Sequence, residues 1–179
     1  MITKQQIVTW LEAIAATIAE NKDYLTQLDA AIGDGDHGTN LNRGFQKVKE
    51  QLPQVTDKDI GQILKTASMN LISTVGGASG PLYGTLFLRA SSAVGAKEEL
   101  SNEDLAAFFD GAVAGVVQRG KAQLEDKTML DALMPASEAF GEAIASGDDT
   151  IAALEKAVAA AEAGREKTIP LVAKKGRAS

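Results

Sequence analysis

The chain contains no cysteine, which excludes a scaffold stapled by disulfides. It has no N-terminal basic-then-apolar export signal, and no apolar run approaches the ~18 residues that a membrane span requires. These absences predict a cytoplasmic protein with no membrane partner. Aromatic residues are scarce at 4% while alanine recurs throughout, a composition that suits close-packed helices and not the β-branched, aromatic-rich strands of a sheet protein. The expected fold class is all-α. Positive charge is also short: 18 basic against 24 acidic side chains leave a formal charge of −6. Such a chain repels nucleic acid and has no broad basic surface for it, so any polyanionic ligand must be met locally.

What is present is enough for one well-cored domain spanning residues 1–179, with 45% apolar residues. Apolar positions at three- and four-residue spacing predict about eight helices. Ile7, Trp10, Leu11, Ile14 and Ile18 mark a first from about Thr3, its N-cap, to Glu20. A short second runs from Lys22 to Ala31, and a third carries Leu41, Phe45 and Val48 and stops before Pro53. Asp57 opens a fourth with Ile60, Ile63, Leu64, Ala67, Met69, Leu71 and Ile72, apolar nearly all round toward its end and so expected to be buried. A fifth follows the glycines after Val75, with Pro81 in its first turn. Ser101 caps a sixth that closes at Gly120. A seventh carries Met129 to Ile144, and an eighth runs from Ile151 toward Ile169, ended by Pro170. The closing K-K-G-R-A-S has no apolar face and reads as a mobile terminus.

Between the second and third helices lies D-A-A-I-G-D-G-D-H-G, which puts Asp29, Asp34 and Asp36 within eight residues at a turn. Two unit charges ~5 Å apart repel by roughly 3 kcal/mol at an effective dielectric near 20. Three converging carboxylates therefore ask for cations, and hard oxygen ligands suit Mg²⁺ or Ca²⁺. The run is not an EF-hand, because Phe45 falls where the twelfth position needs a bidentate glutamate. Asp and Gly also favour turns for reasons of their own.

The second unusual segment is V-G-G-A-S-G-P-L-Y-G, Val75 to Gly84. Gly76, Gly77, Gly80 and Gly84 with Ser79 allow close backbone approach, and the helix start that follows offers N–H groups and a positive dipole end to phosphate. No Lys-Ser or Lys-Thr follows the glycines, so this is not a Walker A loop. G-x-G-x-x-G is absent, so it is not the dinucleotide fingerprint. A carboxylate cluster and a glycine cradle, with no lysine in either, describe a nucleotide held through metal ions bridging phosphates to aspartates, the electrostatic need of phosphoryl transfer.

Four motifs in order, L-D-A-A-I-G-D-G-D-H-G-T-N-L-N-R-G-F, S-T-V-G-G-A-S-G-P-L-Y-G-T, R-G-K-A-Q-L-E-D-K-T-M-L-D and K-K-G-R-A-S, resemble dihydroxyacetone kinases over about Ile7 to Ser179. The length is that of the separate nucleotide-binding L subunit of the bacterial phosphoenolpyruvate-dependent enzymes, without the substrate-binding half of the single-chain ATP-dependent ones. The resemblance implies a barrel of antiparallel helices with the nucleotide in loops at one end. It implies two Mg²⁺ ions between the phosphates and Asp29, Asp34 and Asp36. It also implies ADP/ATP contacts from His37, Gly38, Thr39, Asn40, Ala78, Ser79, Gly120, Met129 and Arg177, with Thr128 and Asp131 in the same motif. ADP would serve as a coenzyme, recharged by a phosphohistidine on an M subunit and passing its γ-phosphate to dihydroxyacetone on a K subunit. Two rival readings stand beside this: the nucleotide domain of an ATP-dependent kinase working with another substrate subunit, and a non-catalytic helical regulatory module. The resemblance further implies a loop with an Asp-Pro-Gly turn and a closing helix beyond K-G-R-A-S. This sequence stops at Ser179: if that is the whole protein, part of the lid and the last barrel helix are missing, and a shortened chain or an omitted tail accounts for it equally well.

Overall fold

The computed structural model describes residues 1–176 and Ser179. Four of its helices begin where a capping side chain satisfies free N–H groups of the first turn. The Thr3 hydroxyl accepts from the Gln6 N–H while the Gln6 side chain accepts from the Thr3 N–H at 2.8 Å, a reciprocal box that starts α1 (Lys4–Glu20). Asp59 caps α4 (Ile60–Thr74) by accepting from the Gln62 N–H at 2.8 Å. Ser101 and Asp104 form a second box at α6 (Asn102–Gly120), and Asp149 caps α8 (Thr150–Lys167). The remaining helices, α2 (Lys22–Ala30), α3 (His37–Gln51), α5 (Ser79–Val94) and α7 (Leu130–Ala145), start without a side-chain cap.

The helices pack on their neighbours, α3 on α1, α2 and α4, then α4 on α5, α5 on α6, α6 on α7 and α7 on α8. Leu11, Phe45, Leu64, Leu71 and Phe140 are wholly enclosed between them. The few aromatic rings are concentrated rather than scattered. Tyr83, Phe45, Phe87, Trp10, Phe108, Phe109 and Phe140 form a continuous line of ring contacts with centroids 5.0 to 6.3 Å apart. Most meet edge to face, the arrangement the ring quadrupoles favour.

Several expectations are corrected. The fourth helix begins at Ile60, not Asp57, because Asp59 supplies the cap while Asp57 pairs with Lys58 at 2.8 Å. It is not buried all round: Ile60, Ile63, Leu64, Ala67 and Leu71 form its core face, while Met69 and Ile72 are 55% and 42% exposed. The eighth helix ends at Lys167, which leaves Ile169 in the following turn, 68% exposed. A short antiparallel pairing of β1 (Ile2–Thr3) with β2 (Glu99–Leu100) was not expected; it sets Ile2 opposite Leu100.

The seventh helix runs through Pro135. Proline has no N–H, so the Asp131 carbonyl one turn earlier loses its helical donor. Gly164 of α8 crosses directly above that carbonyl, where a β-carbon would stand 2.0 Å from the oxygen. The proline and the glycine together let these two helices approach closely at the loop end.

Candidate functional site

Asp29 sits in the last turn of α2, and its carboxylate organises the turn that follows. Its Oδ2 accepts from the backbone N–H of Asp36 at 2.9 Å and of His37 at 3.2 Å. Gly35, at φ +72°, permits the reversal this requires. The turn therefore brings one carboxylate oxygen from each of Asp29, Asp34 and Asp36 within 4.8 Å of one another. Burial pushes the Asp29 carboxyl upward, but the backbone N–H groups of His37, Asp36 and Gly35, with the nearby His37 ring, outweigh it and hold the group below its ordinary value of 3.8. Asp29 is thereby kept as an anion.

This donor set fits a hard divalent cation. Opposite ligands on octahedral Mg²⁺ stand about 4.2 Å apart, given bonds of roughly 2.1 Å, so small side-chain rotations would bring the three oxygens onto one ion.

The facing wall is the Gly76–Ser79 segment and the start of α5. Gly77 has φ +65°, a conformation that favours glycine and exposes the backbone. Ser79 Oγ lies 3.1 Å from His37 Nδ1, which joins the two walls. Between them is a cavity of about 380 Å³ lined by Asp29, Asp34, Asp36, His37, Asn40, the Gly76–Ser79 segment and Gly176. The first residues of α3 and α5 lie along it; the α3 start is already met by the Asp29 carboxylate, whereas α5 begins without a side-chain cap and contributes the positive potential of its N-terminus. No lysine or arginine lines it among the described residues.

Of the residues expected at the site, Asp29, Asp34, Asp36, His37, Asn40, Ala78 and Ser79 come together here. Thr39 is exposed beside the cavity. Gly38 is buried against α2, where a β-carbon would meet the Lys22 carbonyl oxygen at 2.0 Å. Gly120 ends α6 against Leu82, and Met129 precedes α7; neither lines this cavity. Arg177 lies outside the described residues.

Asp131 and Thr128 serve the loop after α6. Asp131 is buried and accepts from the Glu125 N–H at 2.5 Å and the Thr128 N–H at 2.7 Å. That loop holds three non-glycine residues in left-handed backbone, Lys121, Glu125 and Lys127 at φ 50°, 67° and 58°, each costing on the order of 1 kcal/mol or more. Sequence reasoning missed Asp126, which is also buried and accepts from the Gln123 N–H at 3.0 Å. Its carbonyl receives the Lys174 N–H at 3.1 Å, and Lys127 Nζ donates to the Leu171 carbonyl at 2.9 Å. The strained loop thus carries the tail that delivers Gly176 to the cavity. Asp131→Ala should cost about 3 kcal/mol through the lost charge-assisted bonds and lower Tm by roughly 6–12 °C. Thermal denaturation checks this, and a fall under about 2 °C would count against it.

A larger cavity of about 650 Å³ lies between α7, α8 and this loop, lined by Leu124, Pro135, Ala160, Ala163 and Leu171 with Glu125 and Lys167. Both carboxylate oxygens of the Asp131 beside it are already engaged, so it lacks the converging polar groups of a ligand site.

Fold and cavity define an all-helical domain with an acidic, glycine-walled hollow at the loop end of its helices. Residues 31–179 match the DAK2 domain. The chain is 47% identical, over 99% of its length and 85% of the relative, to the PEP-dependent dihydroxyacetone kinase ADP-binding subunit DhaL of Escherichia coli. It is 38% identical to the PTS-dependent counterpart of Lactococcus lactis, over the full chain and 85% of the relative. The crystal structure of the dihydroxyacetone kinase of C. freundii superposes with a TM-score of 0.75 at 25% identity, over 94% of this chain and 30% of that one. The chain therefore belongs to the DAK2 domain family. No helix among the described residues is long and apolar enough to cross a membrane.

Proposed function

We propose that this chain is the nucleotide-holding subunit of a phosphoenolpyruvate-dependent dihydroxyacetone kinase, carrying Mg·ADP in the 380 Å³ cavity. The observation that supports it best is the meeting of three carboxylates with a glycine-walled helix start in one hollow whose described lining has no lysine or arginine. A diphosphate placed there needs positive charge, and cations held by Asp29, Asp34 and Asp36 would supply it. When bound, Mg·ADP would supply a phosphoryl carrier between a phosphohistidine partner and dihydroxyacetone on a second partner. The chain's own residues bind and orient. The aspartates would hold two Mg²⁺ ions, the Gly76–Ser79 backbone and the α5 start would receive the phosphates, and His37 and Asn40 would complete the wall. Gly38, Thr39, Gly120, Met129 and Arg177 are proposed to contact the rest of the nucleotide. Such a subunit performs catalysis by positioning and charge neutralisation, works in the cytoplasm, and turns over only with its partners.

Calorimetric titration of ADP with and without Mg²⁺ tests the reading. Wild type should bind ADP only with the cation, and Asp34→Ala should lose binding while keeping its helical content. Phosphoryl transfer to dihydroxyacetone should appear only when the substrate-binding and phosphohistidine partners are both present. Undiminished ADP binding by Asp34→Ala would refute the assignment, and rapid exchange against free ATP would instead favour an ATP-dependent kinase module.

A further inference from the structure

Asn40 and the glycine loop are held together by a side chain that does not line the cavity. Arg43 stands one turn along α3 from Asn40 and reaches solvent. Its Nη2 donates to Asn40 Oδ1 at 2.8 Å, and its Nε donates to the Thr74 carbonyl at 3.0 Å. Thr74 is the last residue of α4 and leads through Val75 into Gly76 and Gly77. Its carbonyl is among those a helix end leaves without a helical donor, and a cation there also meets the negative end of the helix. One planar guanidinium therefore ties the first turn of α3 to the root of the glycine loop.

The orientation of Asn40 follows from which groups can donate. A guanidinium has five N–H donors and no acceptor, so only the oxygen of an amide can face it. The NH₂ group of Asn40 must then point elsewhere, and it lies against the loop: a β-carbon on Gly76 would stand 3.2 Å from Asn40 Nδ2. Asn40 lines the cavity together with Gly76, Gly77 and Ser79. Its free N–H donors are thus presented where an anion would sit.

We propose that Arg43 is a positioning residue for the phosphate site: by engaging Asn40 Oδ1 and the Thr74 carbonyl together, it turns the Asn40 NH₂ group toward the phosphates of a nucleoside diphosphate. The inference rests on the nucleotide reading of the cavity. Arg43 itself makes no ligand contact, so its substitution acts through Asn40.

A double-mutant cycle on the full chain, titrated with ADP in Mg²⁺, tests this. Asn40→Ala should weaken ADP about 10-fold, as expected for one hydrogen bond to a charged group. Arg43→Ala and Arg43→Gln should each approach that loss. The Asn40→Ala/Arg43→Ala pair should be no more than a few-fold weaker than Asn40→Ala alone, whereas independent roles would multiply toward ~100-fold. A second readout needs no nucleotide: the side-chain amide ¹⁵N–¹H resonances of Asn40 should shift in Arg43→Gln. Losses that multiply, an Arg43 variant that binds ADP like wild type, or unmoved Asn40 amide resonances would each overturn the proposal. If wild type binds ADP and Asp34→Ala does not, such a result removes the role of Arg43 alone. If wild type binds no ADP, the nucleotide reading falls and this role falls with it.

Discussion

Replacing Asp29 by alanine is expected to weaken Mg²⁺-dependent ADP binding by at least about 100-fold, the upper end of what losing an outer-shell partner of a metal costs. Asp29 has two tasks, and alanine ends both. Its carboxylate is one of three that converge within 4.8 Å, and the same group accepts the N–H donors of Asp36 and His37 that fold the turn back on itself. Without it Asp36 is no longer directed at the other two, and the start of α3 loses its anchor on α2. Asp29→Asn separates the tasks. The amide retains an acceptor oxygen for the turn but brings no negative charge to the cation, so this variant should lose much less Tm than Asp29→Ala and still lose most of the affinity. Calorimetry together with thermal denaturation decides the matter. Asp29→Ala binding ADP within tenfold of wild type would mean that the aspartates do not hold the cation.

The second large effect is expected from Gly38→Ala. A β-carbon there would stand 2.0 Å from the Lys22 carbonyl oxygen, 2.6 Å from Thr26 Oγ1 and 2.9 Å from the Thr26 backbone nitrogen. Two of these atoms are backbone, so rotation of a side chain cannot relieve the clash and α3 must move away from α2. Overpacking of this kind costs about 3 kcal/mol, or roughly 6–12 °C in Tm for a domain of this size. Affinity should fall as well, because the first turn of α3 carries His37 and Asn40 into the cavity. Trimming the hydroxyl with Thr26→Ala in the Gly38→Ala background should recover little, since the Lys22 carbonyl remains. A Gly38→Ala protein as stable as wild type would show that the helices have room to separate.

Much of this site is legible in the sequence because its parts are local. Asp29, Asp34 and Asp36 fall within one turn, and Gly76 to Ser79 within another, so composition alone marks both. Helix starts at Thr3 and Ser101 are equally plain, since each has its capping partner three residues on. Asp57 misled because two aspartates stand close together and only geometry shows that Asp59 meets the Gln62 N–H. Met69 and Ile72 misled because an apolar stretch says nothing of which side a neighbour covers. The β1–β2 pairing joins two-residue segments almost a hundred positions apart and leaves no periodicity to detect. Arg43 and Asp126 are single charged residues in ordinary surroundings; their partners, Thr74 and Lys174, lie on distant segments and only folding brings them together. The near contact of Gly38 with Lys22 is invisible for the same reason.

The two walls of the hollow belong to different hairpins of the bundle. Everything acidic hangs on the connection from α2 to α3, whereas the glycine wall hangs on the connection from α4 to α5, and the described side chains that join them are few, His37 to Ser79 and Arg43 to Thr74. A cation alone would stiffen one hairpin and leave the other to breathe. A molecule long enough to touch both would act as a rivet through two plates, so its occupancy would be felt in the cohesion of the entire domain and not merely at the rim.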